Sequence, residues 1–206
     1  MTKAVKTPAV KPAPRASAKQ RALDAAYDLF RINGTRSIGI DAIVQRSGVA
    51  KMSLYRHFRS KEELITAFLK RREELWTIDW LKSELYRCAA SPADRLLVVF
   101  DLFDGWYQSS EFDGCSFINV LLEYPKGHKA RLSATAHLAT IRDIFEELAR
   151  SLEIKDAQTF ANTWHMMMKG SIVAACEGNL GAAREIKVAA QLYLENSLRT
   201  RDQSIW

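Results

Sequence analysis

Lys51, Met52, Ser53, Tyr55, Arg56 and His57 stand within one seven-residue stretch, interrupted only by Leu54 and followed by Phe58. Leu54 and Phe58 are four positions apart, so a helix here turns both toward a core and leaves the other six on its outer face. Those six have the chemistry to read a duplex polyanion. Lys51 and Arg56 can pair with phosphates or guanine edges, Ser53 can reach a base edge or a phosphate, and Met52 can touch a thymine methyl. Lys61 follows at the start of the next helix, beside backbone N–H groups that already favour an anion.

Other chemistries find less support. Cys88, Cys115 and Cys176 are odd in number and far apart, without a CxxC or a paired His, so neither a disulfide framework nor a zinc site is expected. His128, His137 and His165 lack the short spacing on one helix face that fixes a metal geometry. With no GxSxG and no Cys with an evident His partner, nucleophilic catalysis is not expected either. The chain reads as a non-enzyme with no metal and no cofactor.

The elements that must hold the outer face follow from period and caps. Leu23, Ala26, Tyr27 and Phe30 form an apolar stripe from Ser17 until Asn33-Gly34 stops the helix. A short segment through Ile40, Ile43 and Val44 ends at Ser47-Gly48-Val49, and Lys51 to Phe58 follows at once. Two short helices around a Gly-containing turn have the form of a helix-turn-helix, whose second helix lies in the major groove. Ser60-Lys61-Glu62-Glu63 is a capping box, and the helix it opens continues through Leu64, Phe68, Leu75 and Trp76 to about Arg87. Ser91-Pro92-Ala93-Asp94 starts another helix, to about Gln108. Helices are then predicted over Ser116 to Glu123, from Gly127 through Leu132, Leu138, Ile141 and Leu148 to Leu152, over Asp156 to Glu177, and over Ala182 to Leu198. With no strand-like alternation and no repeat, the fold class is all-α with about nine helices: an N-terminal three-helix unit joined to a larger C-terminal helical bundle.

Charge divides the chain in the same place. Of 206 residues with formal net charge +6, the first 70 carry fourteen basic and five acidic side chains, a net +9, and the remainder is −3. A polyanion partner for the N-terminal third follows. Residues 1–16, rich in Pro, Ala and Lys, read as a disordered basic arm, either a solvated tail or a source of extra phosphate contacts. No apolar run is long enough for a membrane span, so no membrane partner is expected. The N-terminus lacks the apolar stretch of a secretory signal, which points to the cytoplasm.

Residues 21–69, RALDAAYDLFRINGTRSIGIDAIVQRSGVAKMSLYRHFRSKEELITAFL, resemble the TetR family of bacterial transcriptional regulators. The resemblance rests on the Ala-rich first helix, Gly34, Ser47-Gly48-Val49, Leu54-Tyr55-Arg56-His57-Phe58 and Ser60-Lys61-Glu62-Glu63-Leu64. It implies a homodimer on a pseudopalindromic double-stranded operator, usually a repressor released by a small ligand held in the C-terminal domain. Gly39 and Ala50 depart from the family, which often has a hydroxyl residue at the start of each motif helix to cap it and touch phosphate. With these two positions included, the DNA-contacting set is Gly39, Ala50, Lys51, Met52, Ser53, Tyr55, Arg56, His57 and Lys61.

The division expected is 1–16 arm, 17–75 DNA-binding domain and 76–206 ligand-binding and dimerisation domain. Gly114-Cys115-Ser116-Phe117-Ile118-Asn119 with Glu123 is similar to a segment near the ligand cavity in some family members. The resemblance implies a lumen among the fifth to eighth helices for an unidentified effector. Its candidate lining is the apolar Phe103, Trp106, Tyr107, Phe117, Trp164 and Met168 with the polar Asn119, Glu123, His137 and His165. Gly170, Ala174, Ala175, Ala183, Ala189 and Ala190, beside Ile172, Ile186, Tyr193 and Leu194, suit the last two helices to pairing with a second copy. The competing reading is a helical small-molecule carrier or enzyme with a vestigial DNA-binding domain, for which only Gly39 and Ala50 speak.

Overall fold

The computed structural model describes residues 16–202, and among them every regular element is helical. The arm assigned to residues 1–16 falls, but for Ala16, outside the described residues. Helix α1 spans Ala18–Asn33, capped by the Ser17 hydroxyl, which accepts from the Gln20 N–H at 3.1 Å. Helix α2, Ile40–Ser47, closes on Gly48 in the left-handed conformation, and α3, Lys51–His57, follows three residues later. Burial of Ala22, Ala26 and Phe30 from α1 with Ile43 and Leu54 from α2 and α3 makes the core of this unit.

Helix α4 runs without interruption over residues 61–88, and its middle is not α-helical. Lys61–Arg72 is α-helix, Glu73–Lys82 is wound as a π-helix, and Ser83–Cys88 returns to α. The capping box forms: Ser60 Oγ accepts from Glu63 N at 3.2 Å, and the Glu63 carboxylate reaches back to the Arg59 N–H at 2.7 Å. The wider winding changes which residues face inward. A regular period from Phe68 carries Leu75 inward, yet Leu75 is exposed while Trp76, Thr77 and Leu81 are buried. π-Helical turns inside α-helices are frequent at functional sites.

Helix α5, Pro92–Tyr107, has Ser91 at its N-cap and Pro92 in its first turn. Helix α6 is Ser116–Glu123, α7 is Lys129–Ser151, α8 is Ala157–Cys176 and α9 is Ala182–Asp202. Helix α7 buries Ala130, Ala134, Leu138, Ile141, Phe145 and Leu148, so Leu132, read from sequence as part of its apolar stripe, lies outside. It is the centre of the bundle, packing on α4, α5, α6 and α8, while α9 closes against α5 and α8.

Candidate nucleic-acid interface and candidate ligand pockets

Helix α3 divides as its residue types require. Leu54 and Phe58 are buried, whereas Lys51, Met52, Tyr55, Arg56 and His57 are exposed and Ser53 is half-buried. Met52 is 70% exposed, which an apolar side chain does not need for folding and which leaves it free for a thymine methyl. Lys51 is not free: its Nζ lies 2.7 Å from Asp41 Oδ1 on α2, and that hydrogen bond raises its pKa. Gly39 and Ala50 stand at the N-caps of α2 and α3, and neither helix has a side-chain cap there. Lys61, half-buried, donates to the Arg36 carbonyl at 3.3 Å, with burial lowering its pKa.

A second cluster joins this unit to the bundle. The Glu123 carboxylate, at the end of α6, accepts from the Thr35 N–H at 3.1 Å and from the Thr35 hydroxyl. The Thr35 hydroxyl also lies 3.1 Å from that of Tyr124, and Arg36 Nη1 donates to the Glu123 carbonyl at 3.1 Å. Thr35 is buried by this contact. Gly34 makes it possible: its φ is +77° with ψ 161°, and a Cβ built there would stand 2.5 Å from Glu123 Oε1. The expected effect of Gly34→Ala is a loss of about 1–3 kcal/mol from backbone strain, with the clash in addition. Urea unfolding measures it, and an unchanged midpoint would show that this contact is dispensable.

The ten candidate ligand residues do not meet in one place. Phe103, Trp106 and Tyr107 pack with Trp76, Trp80 and Phe112 between α4 and α5. Trp164 stacks on Phe160 at 5.2 Å between ring centroids and meets Phe100, with Phe160 stacked in turn on Tyr193 of α9. Met168 and His165 are buried on the same helix. Phe117 lies against His137, whose Nδ1 is 3.0 Å from Glu73 Oε1. Asn119 is exposed, and Glu123 is held by Thr35.

Two buried polar atoms in the α8 layer, Trp164 Nε1 and His165 Nε2, have no hydrogen-bond partner among the described residues. Burial lowers the His165 pKa to about 3, assisted by the nearby Lys169 and Arg142 charges, so its imidazole is neutral. Among the described residues no group of three or more His, Cys, Asp or Glu is placed to hold a metal.

Tyr27, Arg72, Trp76 and Trp80 were not among the sequence candidates, although all four line one cleft with Trp106. The available signal was the pair Trp76 and Trp80, four apart on the helix that links the two halves.

Comparison with known proteins bears on the same regions. Residues 22–68 match the family model described as bacterial regulatory proteins, tetR family. The chain is 43% identical over 58 residues to the HTH-type transcriptional activator FasR of Mycolicibacterium smegmatis, a match covering 28% of this chain and 26% of that protein. It is 34% identical over 67 residues to the HTH-type transcriptional regulator QacR of Staphylococcus aureus, covering 32% and 36%. The chain thus spans well under half the length of these curated relatives.

Solved structures match over far more. A TetR-family transcriptional regulator from Streptomyces coelicolor superposes with TM-score 0.72 at 24% identity, covering 89% of each chain. A TetR transcriptional regulator from Streptomyces avermitilis does so with TM-score 0.70 at 25% identity, covering 91% of this chain and 99% of the other.

Proposed function

We propose that this chain, whose residues 22–68 match the tetR family of bacterial regulatory proteins, is a DNA-binding transcriptional regulator that acts as a homodimeric repressor released from a pseudopalindromic operator by a small-molecule ligand. The observation that carries the reading is α3, with Leu54 and Phe58 inward and Lys51, Met52, Tyr55, Arg56 and His57 presented together on the outside of the basic third of the chain. Gly39 and Ala50 leave backbone N–H groups at two helix N-termini without side-chain caps, available to phosphate oxygens. On this reading residues 17–75 form the DNA-binding domain and 76–206 the effector and dimer domain. The boundary falls within the π-helical stretch of α4, so a displacement of the bundle reaches the reading helix through a continuous element.

The dimer reading is supported by apolar side chains on the outward faces of α8 and α9. Met166, Val173, Val188 and Leu192 are each between 46% and 64% exposed. Ala175, Ala183, Ala190, Ile172 and Leu194, grouped from sequence with this face, are buried within the chain's own core. The proposed contact is therefore the outer stripe, with Gly170 and Ala189 exposed on it. No described helix is long and apolar enough to cross a membrane, consistent with a regulator working in the cytoplasm.

The test is titration of DNA from upstream of its own gene, with half-sites about one helical turn apart, roughly 34 Å. Arg56→Ala removes two contacts per dimer, each worth about 1–3 kcal/mol if bidentate to guanine, so affinity should fall at least tenfold. Normal operator affinity in that variant would remove α3 as the reading helix. Since FasR is named an activator, a promoter fusion should accompany the titration, and rising expression with the protein present would overturn repression.

Asp41→Asn should act in the opposite direction. It frees Lys51 for phosphate, raising DNA affinity and steepening the log-log salt dependence by about 0.9 for each phosphate gained. An unchanged slope would mean that Lys51 reaches no phosphate.

A further inference from the structure

Between α1, α4 and the loop after α5 lies an open cleft of about 390 Å³. Trp76, Trp80 and Trp106 wall it, with ring centroids 5.2 to 6.4 Å apart, and Trp76 and Trp80, four residues apart in the π-helical stretch of α4, lie on the same side. Arg72 and Tyr27 form its polar end. The Arg72 side chain donates to the Tyr27 hydroxyl at 3.0 Å and lies 5.9 Å from the Trp76 ring.

Arg72 is 9% exposed and has no carboxylate within ion-pair distance among the described residues. A buried guanidinium carries five donors in a fork shaped for a carboxylate, and leaving such a charge without a counter-ion is costly. The neighbouring acids are each engaged with another cation. Glu111 and Asp113 hold Arg31 at 3.4 and 2.8 Å, Asp28 lies 3.7 Å from Arg46, and Asp24 pairs with Arg71. Burial raises the Asp113 pKa, against the fields of Arg31, its ion-pair partner, and of Arg72, which lower it.

We propose that this cleft binds a planar aromatic carboxylate, its ring against Trp76, Trp80 and Trp106 and its carboxylate on the Arg72 guanidinium and the Tyr27 hydroxyl. The charge-assisted, two-pronged hydrogen bond supplies orientation, and the indole faces supply the apolar contact. The site spans α1 of the DNA-binding unit, the wide-wound part of α4 and α5 of the bundle, so an occupant touches both halves at their joint. This deepens the effector reading above and rests on it for the consequence to DNA, though not for binding itself.

The experiment titrates the full chain with benzoate and 2-naphthoate, with 2-naphthamide as the uncharged shape control and N-methylquinolinium as the planar cation, following tryptophan fluorescence and heat. Saturable binding of one carboxylate per chain is expected, at least tenfold tighter than 2-naphthamide. Arg72→Gln and Tyr27→Phe should each weaken it. The second variant removes only a hydroxyl and keeps the test valid if the first fails to fold. Equal binding of acid and amide, tighter binding of the cation, no saturable binding of either acid, or an unaffected Tyr27→Phe would each overturn the site. A carboxylate that binds as described yet leaves operator affinity unchanged would overturn the effector role and leave the site standing.

Discussion

Val188→Glu combined with Leu192→Glu is expected to leave a folded monomer that no longer holds its operator. Both residues lie one turn apart on α9, 64% and 63% exposed, and neither belongs to the chain's own core. Surface substitutions of this kind usually change stability by no more than about 0.5 kcal/mol, so helicity and melting should be close to those of the parent. In a two-fold contact each substitution appears twice, placing four carboxylates in what had been an apolar seam. Sedimentation should show a single chain. Operator affinity should fall by about a thousandfold, the lower end of the gap between specific and non-specific DNA binding, because one α3 reads one half-site. Weak, salt-sensitive binding should persist through the basic N-terminal third. A variant that remains a dimer would move the interface elsewhere.

The second large effect is on acid stability and centres on His165. Its folded pKa of about 3 lies below the ordinary value of 6.5, because burial disfavours the charged imidazole and Lys169 and Arg142 repel it further. Below pH 6.5 the unfolded chain takes up a proton that the folded chain refuses. The stabilisation from keeping this ring neutral is therefore full above pH 6.5 and is lost as pH falls toward 3. The slope from this one group approaches about 1.4 kcal/mol per pH unit across that window. Urea unfolding of the parent and of His165→Leu between pH 7 and 4 measures it: the parent should lose stability more steeply. Coincident pH profiles would show that His165 is not the group concerned.

The cleft at Trp76 and the joint at Glu123 bear on how a ligand could be felt by DNA. Glu123 holds Thr35 from the bundle side, and α4 carries Arg72 and Trp76 through the junction. The Thr35 contact lies shortly before α2, which packs on α3, and α4 packs on α1, which also packs on α3.

Much of this was legible along the chain because it depends on near neighbours. Ser17, Ser60, Ser91 and Asp156 each cap the helix that their position announces. Gly34 and Gly48 end α1 and α2 because both adopt positive φ, which other residues resist. Leu54 and Phe58 were readable as the inner face of α3 from their spacing alone. The misreadings fall where local period is overridden. Leu75 is turned out by the π-helical winding of α4, and Leu132 lies outside because the small Ala130 and Ala134 allow α7 to approach its neighbours along a different face.

The sequence by itself determined the all-helical class, the helix-turn-helix, its outward-facing residues and the location of the positive charge, since caps, period and charge are properties of residues close in the chain. Only the tertiary structure decided what the bundle residues do. Ten ligand candidates chosen by type separate into several clusters, Glu123 belongs to Thr35, and Arg72, unremarkable in a run of basic residues, becomes a buried charge with no carboxylate at ion-pair distance among the described residues. Those roles depend on which distant segments meet, and burial, not residue type, sets the energy of a charge or an apolar face.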